Sequence, residues 1–326
     1  MIRKIIFFVF VICANSVDAQ DYSEREDVQR FLTKFAAQEG FNENELLRVF
    51  EKAEYKQSII DAISRPAERT LSWDKYQDIF LDEERVLSGV EFMENNRVAL
   101  DTAYEVYGIP PSIITSIIGV ETKYGAISGN YRVLDALVTL SFDYPPRATF
   151  FQRELKEFLL LAREEQKMIS ALKGSYAGAM GLGQFIPSSY RAYAIDFDGD
   201  GFRDIWNNQA DAIGSVANYL AVHGWNRDQQ ITLKVLADGM PSRVFNESLT
   251  PSKSISELRQ LGMIDDAKHI DGEEVVSPMR LKGKKGEEYW IGLHNFYVIT
   301  RYNHSKLYAM AVFQLSENLR KSYSVH

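Results

Sequence analysis

The sequence has little cysteine, few histidines and no excess of basic residues. Its single cysteine, Cys13, lies in an N-terminal segment that we expect to be removed. The mature chain is therefore predicted to have no disulfide, no cysteine nucleophile and no zinc–thiolate site. The five histidines show no close metal-ligand spacing. The formal net charge of the 326 residues is −8, which argues against a nucleic-acid partner.

The N-terminus carries a short apolar run, IIFFVFVICA, after two basic residues. The run is too short to span a bilayer as a mature helix, and the segment NSVDAQ follows it, with a cut expected near Gln20. This order is typical of a secretory signal over residues 1–19, with a membrane anchor as the alternative. Ile12 precedes Cys13 where a lipoprotein signal has a small residue, so we predict a soluble exported protein and not a lipoprotein.

What the chain does contain is mostly helical periodicity. Residues 20–109 repeat apolar positions at helical spacing and predict a helical N-terminal domain. Residues 110–229 are also helical but carry glycine-rich breaks, whereas residues 230–290 hold β-like runs separated by turns. Residues 291–326 return to a helical pattern, which we expect to pack on the middle domain. The predicted class is therefore mainly α (α+β).

The segment PPSIITSIIGVETKYG, residues 110–125, is an apolar helix with one carboxylate near its end. On a helical wheel Glu121 falls on the side of the isoleucines, opposite Lys123. A carboxyl desolvated there should have a raised pKa, because burial disfavours the charged form, and such a group can act as a general acid. A structural salt bridge and an exposed position at a frayed helix end are the alternatives.

The segment KGSYAGAMGLGQFIPSSY, residues 173–190, is rich in glycine and alanine. Such small side chains let the backbone approach a ligand or another segment closely. Ser175 and Gln184 add neutral hydrogen-bonding groups of the kind that sugars require. Tight helix packing by small residues is the alternative interpretation.

The segment DFDGDGFRDIWNNQAD resembles a calcium-binding loop at its front. Asp196, Asp198 and Asp200 occupy the first three carboxylate positions, and Phe202 could give its carbonyl. Asn207 stands where the standard loop has a bidentate Glu. The pattern favours a weak or structural cation site over a sensor, and a solvated acidic turn is the alternative.

Tyrosine is abundant, and several of the 17 lie next to amides, as in HNFYVITRYNHSKLYAMA. Rings flanked by amides suit a sugar-binding groove, in which a ring face stacks and a polar edge hydrogen-bonds. Tyrosines of a core or an interface are the alternative for most individual positions.

Together these segments resemble the lytic murein transglycosylase B family over nearly all of the mature chain. The motifs that carry the resemblance are IIGVETKYG, FDYPPRATFFQ, GSYAGAMGLGQFIPSSY, DFDGDG…IW, DAIGSVANYL and NFYVITRYNHS…YAMAV. The resemblance implies a lysozyme-like catalytic core with a helical N-terminal domain and a small β-rich insertion. It also implies cleavage of the β-1,4 bond between N-acetylmuramic acid and N-acetylglucosamine in peptidoglycan. The muramyl 6-hydroxyl would close on C1 and leave a 1,6-anhydro end.

The resemblance also assigns roles to residues. Glu121 falls at the single catalytic acid/base. The substrate-binding positions are Ser175, Gln184, Tyr219, Tyr302, Asn303 and Tyr308. The metal loop comprises Asp196, Asp198, Asp200 and Phe202, with its closing carboxylate placed at Asp211.

The resemblance implies that the reaction needs no cofactor. We expect a structural calcium or sodium ion at the loop. The protein is expected to be a periplasmic monomer. Its expected partners are peptidoglycan glycan strands and cell-wall synthesis or degradation complexes, and no nucleic-acid partner is expected. A hydrolytic muramidase, which leaves reducing ends, and a non-catalytic peptidoglycan-binding protein are the competing functions.

Overall fold

The computed structural model describes residues 21–65, 71–237, 239–245, 248–263 and 270–324. The predicted signal segment, residues 1–19, lies outside the described residues. The chain forms two compact units, which divide between Tyr55 and Lys56. In the described part of the chain, no helix combines the length and the apolar character needed to cross a membrane.

The first unit is helical. It consists of a short 3₁₀ turn (Tyr22–Glu24) followed by α1 (Glu26–Glu39) and α2 (Glu43–Phe50). Gly40 ends α1 with a left-handed φ of 68°, and the Asn42 side chain caps α2 by accepting hydrogen bonds from two backbone N–H groups.

The second unit holds most of the helices and all the described strands. Its helices are α3 (Gln57–Ile63), α4 (Trp73–Phe80), α5 (Glu83–Asn95), α6 (Arg97–Tyr107), α7 (Pro111–Thr122), α8 (Val133–Phe142), α9 (Ala148–Glu164), α10 (Pro187–Tyr193), α11 (Gln209–Val222), α12 (Ile255–Gln260), α13 (His294–Tyr302) and α14 (Lys306–Tyr323). Further 3₁₀ turns span Pro145–Arg147 and Ser242–Val244.

The centre of this unit is α7, which begins at Pro111 in the first helical turn, where proline needs no hydrogen-bond partner. The last helix, α14, packs against both α7 and α5, while α8 packs on α9 and α6 packs on α11. The C-terminal segment thus returns to the helical core, in the region where the sequence predicted it.

The strands form two separate antiparallel groups. The pair β1 (Tyr131–Arg132) and β2 (Lys173–Gly174) brings the start of the glycine-rich segment beside the start of α8. The larger sheet has the strand order β3–β6–β5–β4, with β3 (Thr232–Val235), β4 (Lys253–Ser254), β5 (Val275–Gly283) and β6 (Gly286–Gly292).

The larger sheet has a hydrophobic cluster of its own, which includes Val235, Leu258, Val276 and Ile291. The sheet and its cluster overlap residues 230–290, for which the sequence predicted a β-rich domain, and continue to Leu293. The predicted class, mainly α with a small β-rich part, is confirmed. The domain boundaries that we drew from the sequence remain predictions.

Candidate active site and acidic loop

Glu121 lies one residue before the end of α7. It is the single residue between Ser112 and Thr122 that is not buried, and its side chain is half-exposed. The helix end is not frayed, because Thr122 is buried and donates its hydroxyl to the Leu182 carbonyl at 2.9 Å. A fixed helix end therefore presents Glu121 next to the glycine-rich segment.

The helical wheel described α7 incompletely. It assigned a polar side to α7, but Ser116 on that side is fully buried and donates to the Ser112 carbonyl at 2.7 Å. From Ser112 to Val120 the helix is buried on every side, its serines and threonine included, as expected for a helix in the middle of a core. The position at the helix end, and not the face, separates Glu121 from its neighbours.

The backbone around Glu121 is fixed by α5. Arg85 is only 9% exposed, and its guanidinium donates to the carbonyls of Gly119 and Ile79. Tyr124 has a left-handed φ of 58° and donates its hydroxyl to the Arg85 carbonyl at 2.9 Å. Glycine is needed at position 119, since a Cβ there would lie 2.7 Å from the Tyr124 ring. We call the pair formed by Arg85, from α5, and Tyr124, from the turn after α7, the α5 clamp.

Two tyrosines from the C-terminal segment lie beside Glu121. Burial raises the pKa of Tyr308 well above its usual range, and the negative charge of Glu121 is the next cause. The same two causes, in the same order, raise the pKa of Tyr302, whose hydroxyl donates to the Gly183 carbonyl at 2.6 Å. Both hydroxyls therefore remain protonated at neutral pH, so the groups facing the carboxylate here are neutral.

Between β2 and α10 the glycine-rich segment is an irregular loop with two isolated β-bridges. Gly174 serves close approach of backbone to backbone, because a Cβ there would lie 2.1 Å from the Ala179 carbonyl oxygen. Tight packing is thus part of what the small residues do, but between loop strands and not between helices.

Ser175 and Gln184 both bind this loop together. The Ser175 hydroxyl oxygen accepts from the N–H groups of Ala177 and Ala179, at 3.2 and 3.1 Å. Gln184 has a left-handed φ of 51°, and its amide nitrogen donates to the Ser128 and Gly181 carbonyls at 3.1 and 2.9 Å. The chemistry left to each is complementary: Ser175 keeps a hydroxyl proton to donate, and Gln184 keeps a carbonyl oxygen to accept.

A cavity of about 1080 Å³ opens beside Tyr302 and Asn303. Its aromatic lining comprises Trp73, Tyr144, Phe150, Phe151 and Tyr176, and its cationic lining comprises Arg147, Arg280, Lys282 and Lys306. Tyr219 does not line it: that ring stacks on His223 with a centroid distance of 4.1 Å, and its hydroxyl donates to the Arg301 carbonyl at 2.6 Å. Burial raises the pKa of Tyr219 to about 12.

The acidic loop gathers three of its carboxylates. Oxygens of Asp196, Asp198 and Asp211 lie within 4.8 Å of one another, so the placement of the closing carboxylate at Asp211 agrees with the geometry. Asp200 is not in this trio and accepts from the Phe202 N–H at 2.8 Å. We call Asp196, Asp198 and Asp211 the acidic trio.

The loop's carboxylates also bind its own backbone. Asp196 accepts from the N–H groups of Gly199 and Gly201, both at 2.8 Å. Asp211 is fully buried and accepts from Phe197 and Asp204, at 2.8 and 2.7 Å. Burial is the main cause of the raised pKa of Asp211.

The negative charges of Asp198 and Asp196 raise the pKa of Asp211 further. Three hard carboxylates at this separation are the ligand type that calcium prefers. The amide of Asn207, which stands at the last loop position, donates instead to Asp204 at 3.1 Å. The residues present therefore fit a cation held by Asp211 and not by Asn207.

Residues 23–317 match the protein family described as "Transglycosylase SLT domain". The chain belongs to this family. It is 43% identical over 306 residues to the membrane-bound lytic murein transglycosylase B of Escherichia coli (strain K12), a match that covers 91% of this chain and 83% of that protein.

Solved structures of SLT-domain proteins have the same fold. Catenated lytic transglycosylase SltB1 from Pseudomonas aeruginosa has a TM-score of 0.89 at 48% identity, covering 93% of this chain and 100% of that one. Escherichia coli Slt35 in complex with calcium has a TM-score of 0.85 at 41% identity, covering 93% and 96%. Pseudomonas aeruginosa SltB3 in complex with NAG-anhNAM-pentapeptide has a TM-score of 0.78 at 29% identity, covering 92% and 80%.

These matches confirm the family resemblance and the lysozyme-like fold inferred from the sequence motifs. The roles assigned to individual residues of this SLT-domain chain remain predictions. The structure brings Glu121 together with Tyr302 and Tyr308, and it brings the acidic trio together, but it leaves Tyr219 with its hydroxyl engaged away from the cavity.

Sequence reasoning missed the α5 clamp and the cationic lining of the cavity. Arg147 lies in FDYPPRATFFQ, a motif that signalled the family but no role for this residue. Arg280 and Lys282 could have been found from the alternation of polar and apolar residues in β5. Nothing in the sequence indicated that Arg85 is buried, because an arginine on the exposed side of the same helix would leave the same sequence pattern.

Proposed function

We propose that this protein is a peptidoglycan lytic transglycosylase. It cleaves the β-1,4 bond between N-acetylmuramic acid and N-acetylglucosamine and leaves a 1,6-anhydromuramyl end. The observation that carries the proposal is the half-exposed carboxylate of Glu121, held at a rigid helix end beside two neutral tyrosines in an SLT-domain chain. The names of its relatives support it: one is a lytic murein transglycosylase, and another was solved with an anhydromuramyl ligand.

Glu121 acts twice in this reaction. Its protonated form gives a proton to the glycosidic oxygen as the bond from that oxygen to C1 of the muramyl residue breaks. The carboxylate then takes the proton of the muramyl 6-hydroxyl as that oxygen bonds to C1. The products are a free 4-hydroxyl on the leaving sugar and an anhydro ring, with no water consumed. Because the nucleophile belongs to the substrate, proximity replaces the bound water of a hydrolase.

The hydrogen-bonding groups around Glu121 suit acetamido sugars. The hydroxyl proton of Ser175 and the amide oxygen of Gln184 are the free donor and acceptor of the glycine-rich segment. They are placed to orient an acetamido carbonyl and its N–H. Tyr308 offers its proton beside the carboxylate, while Tyr302 and Asn303 form the edge of the cavity into which the glycan continues.

The acidic loop holds a structural calcium or sodium ion in this proposal. Asp196, Asp198 and Asp211 supply carboxylate oxygens, with Asp200 and the Phe202 carbonyl as further ligands. The ion would balance the charge of the trio and has no part in the proton transfers. Slt35, a relative with the same fold, was solved in complex with calcium.

The site of action follows from the substrate. We propose that residues 1–19 export the protein to the periplasm, where it acts as a monomer on glycan strands, alone or within cell-wall complexes. The apolar N-terminal run is the support for export.

The mass of the released products tests the proposed reaction. Purified protein is incubated with bacterial sacculi, and the soluble muropeptides are analysed by mass spectrometry. We expect anhydromuramyl products, each lighter by one water than the reducing product of hydrolysis. Reducing ends would identify a hydrolytic muramidase, and binding to sacculi without release would identify a non-catalytic binding protein.

A further inference from the structure

We propose that Glu154 of α9 is a positioning residue, which holds the amide of Gln184 in place in the glycine-rich segment. The Glu154 carboxylate acts through Ser188, which follows Gln184 by four residues. The inference rests on the proposed function, since it adds to the residues that orient the same substrate a buried group that does not touch it.

The Glu154 carboxylate is buried and binds one residue with both of its oxygens. Glu154 is 5% exposed. One oxygen accepts from the Ser188 N–H at 3.0 Å, and the other accepts from the Ser188 hydroxyl at 2.9 Å. Two donors on one residue fix the direction of the contact as well as its length. Ser188 is therefore locked to α9, a helix of 17 residues that packs on α8.

The start of α10 needs an acceptor that its own sequence does not supply. Ile186 stands at the N-cap, where it has no side-chain oxygen to accept a hydrogen bond, and Pro187 has no N–H. The Ser188 N–H is thus the first donor of the helix, and Glu154 provides its partner. A separate helix therefore fixes the point at which the glycine-rich loop ends.

Gln184 depends on such anchors because its backbone is strained. It has a left-handed φ of 51°, a conformation that residues with a side chain seldom adopt and that persists only where the surrounding structure imposes it. On one side the Tyr302 hydroxyl holds the Gly183 carbonyl at 2.6 Å. On the other side Glu154 holds Ser188. Without the second anchor, the turn at Gln184 can relax from its end.

The charge of Glu154 is not balanced by an ion pair. Glu157 and Glu164 of the same helix pair with Arg191 of α10, whereas in the described part of the chain no arginine or lysine forms an ion pair with Glu154. Burial raises the pKa of Glu154, and the hydrogen bonds from Ser188 oppose that rise. A buried carboxylate without a counter-charge costs stability. Such local conflicts are expected where a residue serves function.

The test asks whether Glu154 acts through Gln184. The variant is Glu154→Gln, which retains the shape of the side chain but leaves one oxygen for the two donors of Ser188. The matched control is Glu164→Gln, which removes the same charge from the same helix and breaks one of the two ion pairs with α10. Each substitution is made alone and together with Gln184→Ala, and kcat/KM is measured on soluble peptidoglycan glycan strands.

We expect Glu154→Gln to lower kcat/KM about tenfold when Gln184 is present and less than about twofold in the Gln184→Ala background, because an amide that has been removed cannot be displaced. The control should change kcat/KM by less than about twofold in both backgrounds. A merely structural role would lower kcat/KM by the same factor with and without the Gln184 amide, and that additive result overturns the proposal.

Ser188→Ala tests the same contact from its other side, in case Glu154→Gln does not fold. It removes the hydroxyl and leaves the backbone N–H to the carboxylate. We expect kcat/KM to fall about threefold, and again only when the Gln184 amide is present. An unaltered kcat/KM in Ser188→Ala overturns the proposal, because the hydroxyl makes one of the two bonds.

Failure of the proposed function has a different signature, since the unchanged protein would then release nothing from glycan strands. The side-chain amide signals of Gln184 in a nitrogen–proton correlation NMR spectrum, assigned by their loss in Gln184→Ala, report its position without substrate. This amide donates to the Ser128 and Gly181 carbonyls. Its signals should move toward those of an exposed glutamine in Glu154→Gln and stay in place in the control. Signals that stay in place in both overturn the positioning role.

Discussion

The end of α7 and the loop of residues 196–211 both present carboxylates, but they are built in different ways. The loop is held by itself, since Asp196 and Asp211 accept hydrogen bonds from backbone N–H groups within the same stretch. The end of α7 is held by other elements: Arg85 comes from α5, and Tyr308 comes from α14.

The difference shows how one chain gives the same chemical group two uses. A carboxylate bound to several backbone N–H groups has part of its acceptor capacity committed to structure. Glu121 instead has neutral hydroxyls beside it, so that it can gain and lose a proton while the backbone around it is fixed by different side chains. Under the proposed function, the first arrangement supports the fold and an ion, and the second supports proton transfer.

The largest expected effect is the loss of turnover in Glu121→Gln. The variant retains shape and polarity but has no proton to give or take, so kcat should fall by about a thousandfold or more. Release of muropeptides from sacculi measures this, and the thermal midpoint should stay that of the unchanged protein. Substantial activity in the variant would mean that the end of α7 is not the catalytic region.

Asp211→Asn should affect stability where Glu121→Gln affects turnover. The substitution replaces one of two buried acceptor oxygens by a donor that faces a backbone N–H, so we expect a loss of about 2–3 kcal/mol in the free energy of unfolding. Urea denaturation in calcium-free buffer measures it. Asp200→Asn, at an exposed carboxylate of the same loop, serves as the control and should lose only about 0.5 kcal/mol. Equal losses would contradict the structural role of Asp211.

Calcium should bind the acidic loop and not the end of α7, and it should thereby stabilise the folded protein. At a free concentration about ten times its Kd, one bound ion adds ~1.4 kcal/mol to the free energy of unfolding. Calorimetry with calcium and with chelator measures the shift, which Asp198→Asn should reduce. Asp101→Asn, at an exposed carboxylate of α6, should retain it. A shift of the same size in both variants would place the ion elsewhere.

The smallest expected effect is that of Tyr124→Phe at the α5 clamp. Loss of the hydrogen bond to the Arg85 carbonyl should lower the free energy of unfolding by about 1 kcal/mol. Because the turn after Glu121 then loosens, kcat should fall several-fold while KM stays near its original value. Tyr104→Phe removes a hydroxyl that bonds exposed Asp228 and serves as the control. A change of KM with kcat retained would argue against a positioning role.

The sequence predicts the local features of both regions and misses the distant ones. The spacing of Asp196 and Asp198 was readable because the loop satisfies itself over a few residues, and the apolar run with its prolines marked α7. Asp211 required the family resemblance, since it lies beyond the standard loop. In α7 the wheel reported which residues are apolar, but it could not report that neighbours surround Ser116 as well.

The distant contacts have no local signature. Arg85 lies in a helix with charged residues on its exposed side, and only the packing of α5 against α7 turns it inward. The cationic lining of the cavity comes in part from β5 and α14, which lie far apart in the sequence and both line the cavity in the folded chain. The substrate-binding role of Tyr219 remains a prediction, and the hydrogen bond from its hydroxyl to the Arg301 carbonyl is another distant contact that the sequence did not indicate.

Tyr302 and Tyr308 join Glu121 from a part of the chain that is synthesised long after α7. A nascent or partly translocated polypeptide therefore has the acid without the hydroxyl of Tyr308, which reaches Glu121 only after α14 has docked. Contacts between such distant segments form late in folding, because closing a long loop costs entropy first. Under the proposed function, the surroundings in which Glu121 exchanges its proton are therefore complete only when the C-terminal helices have folded against α7.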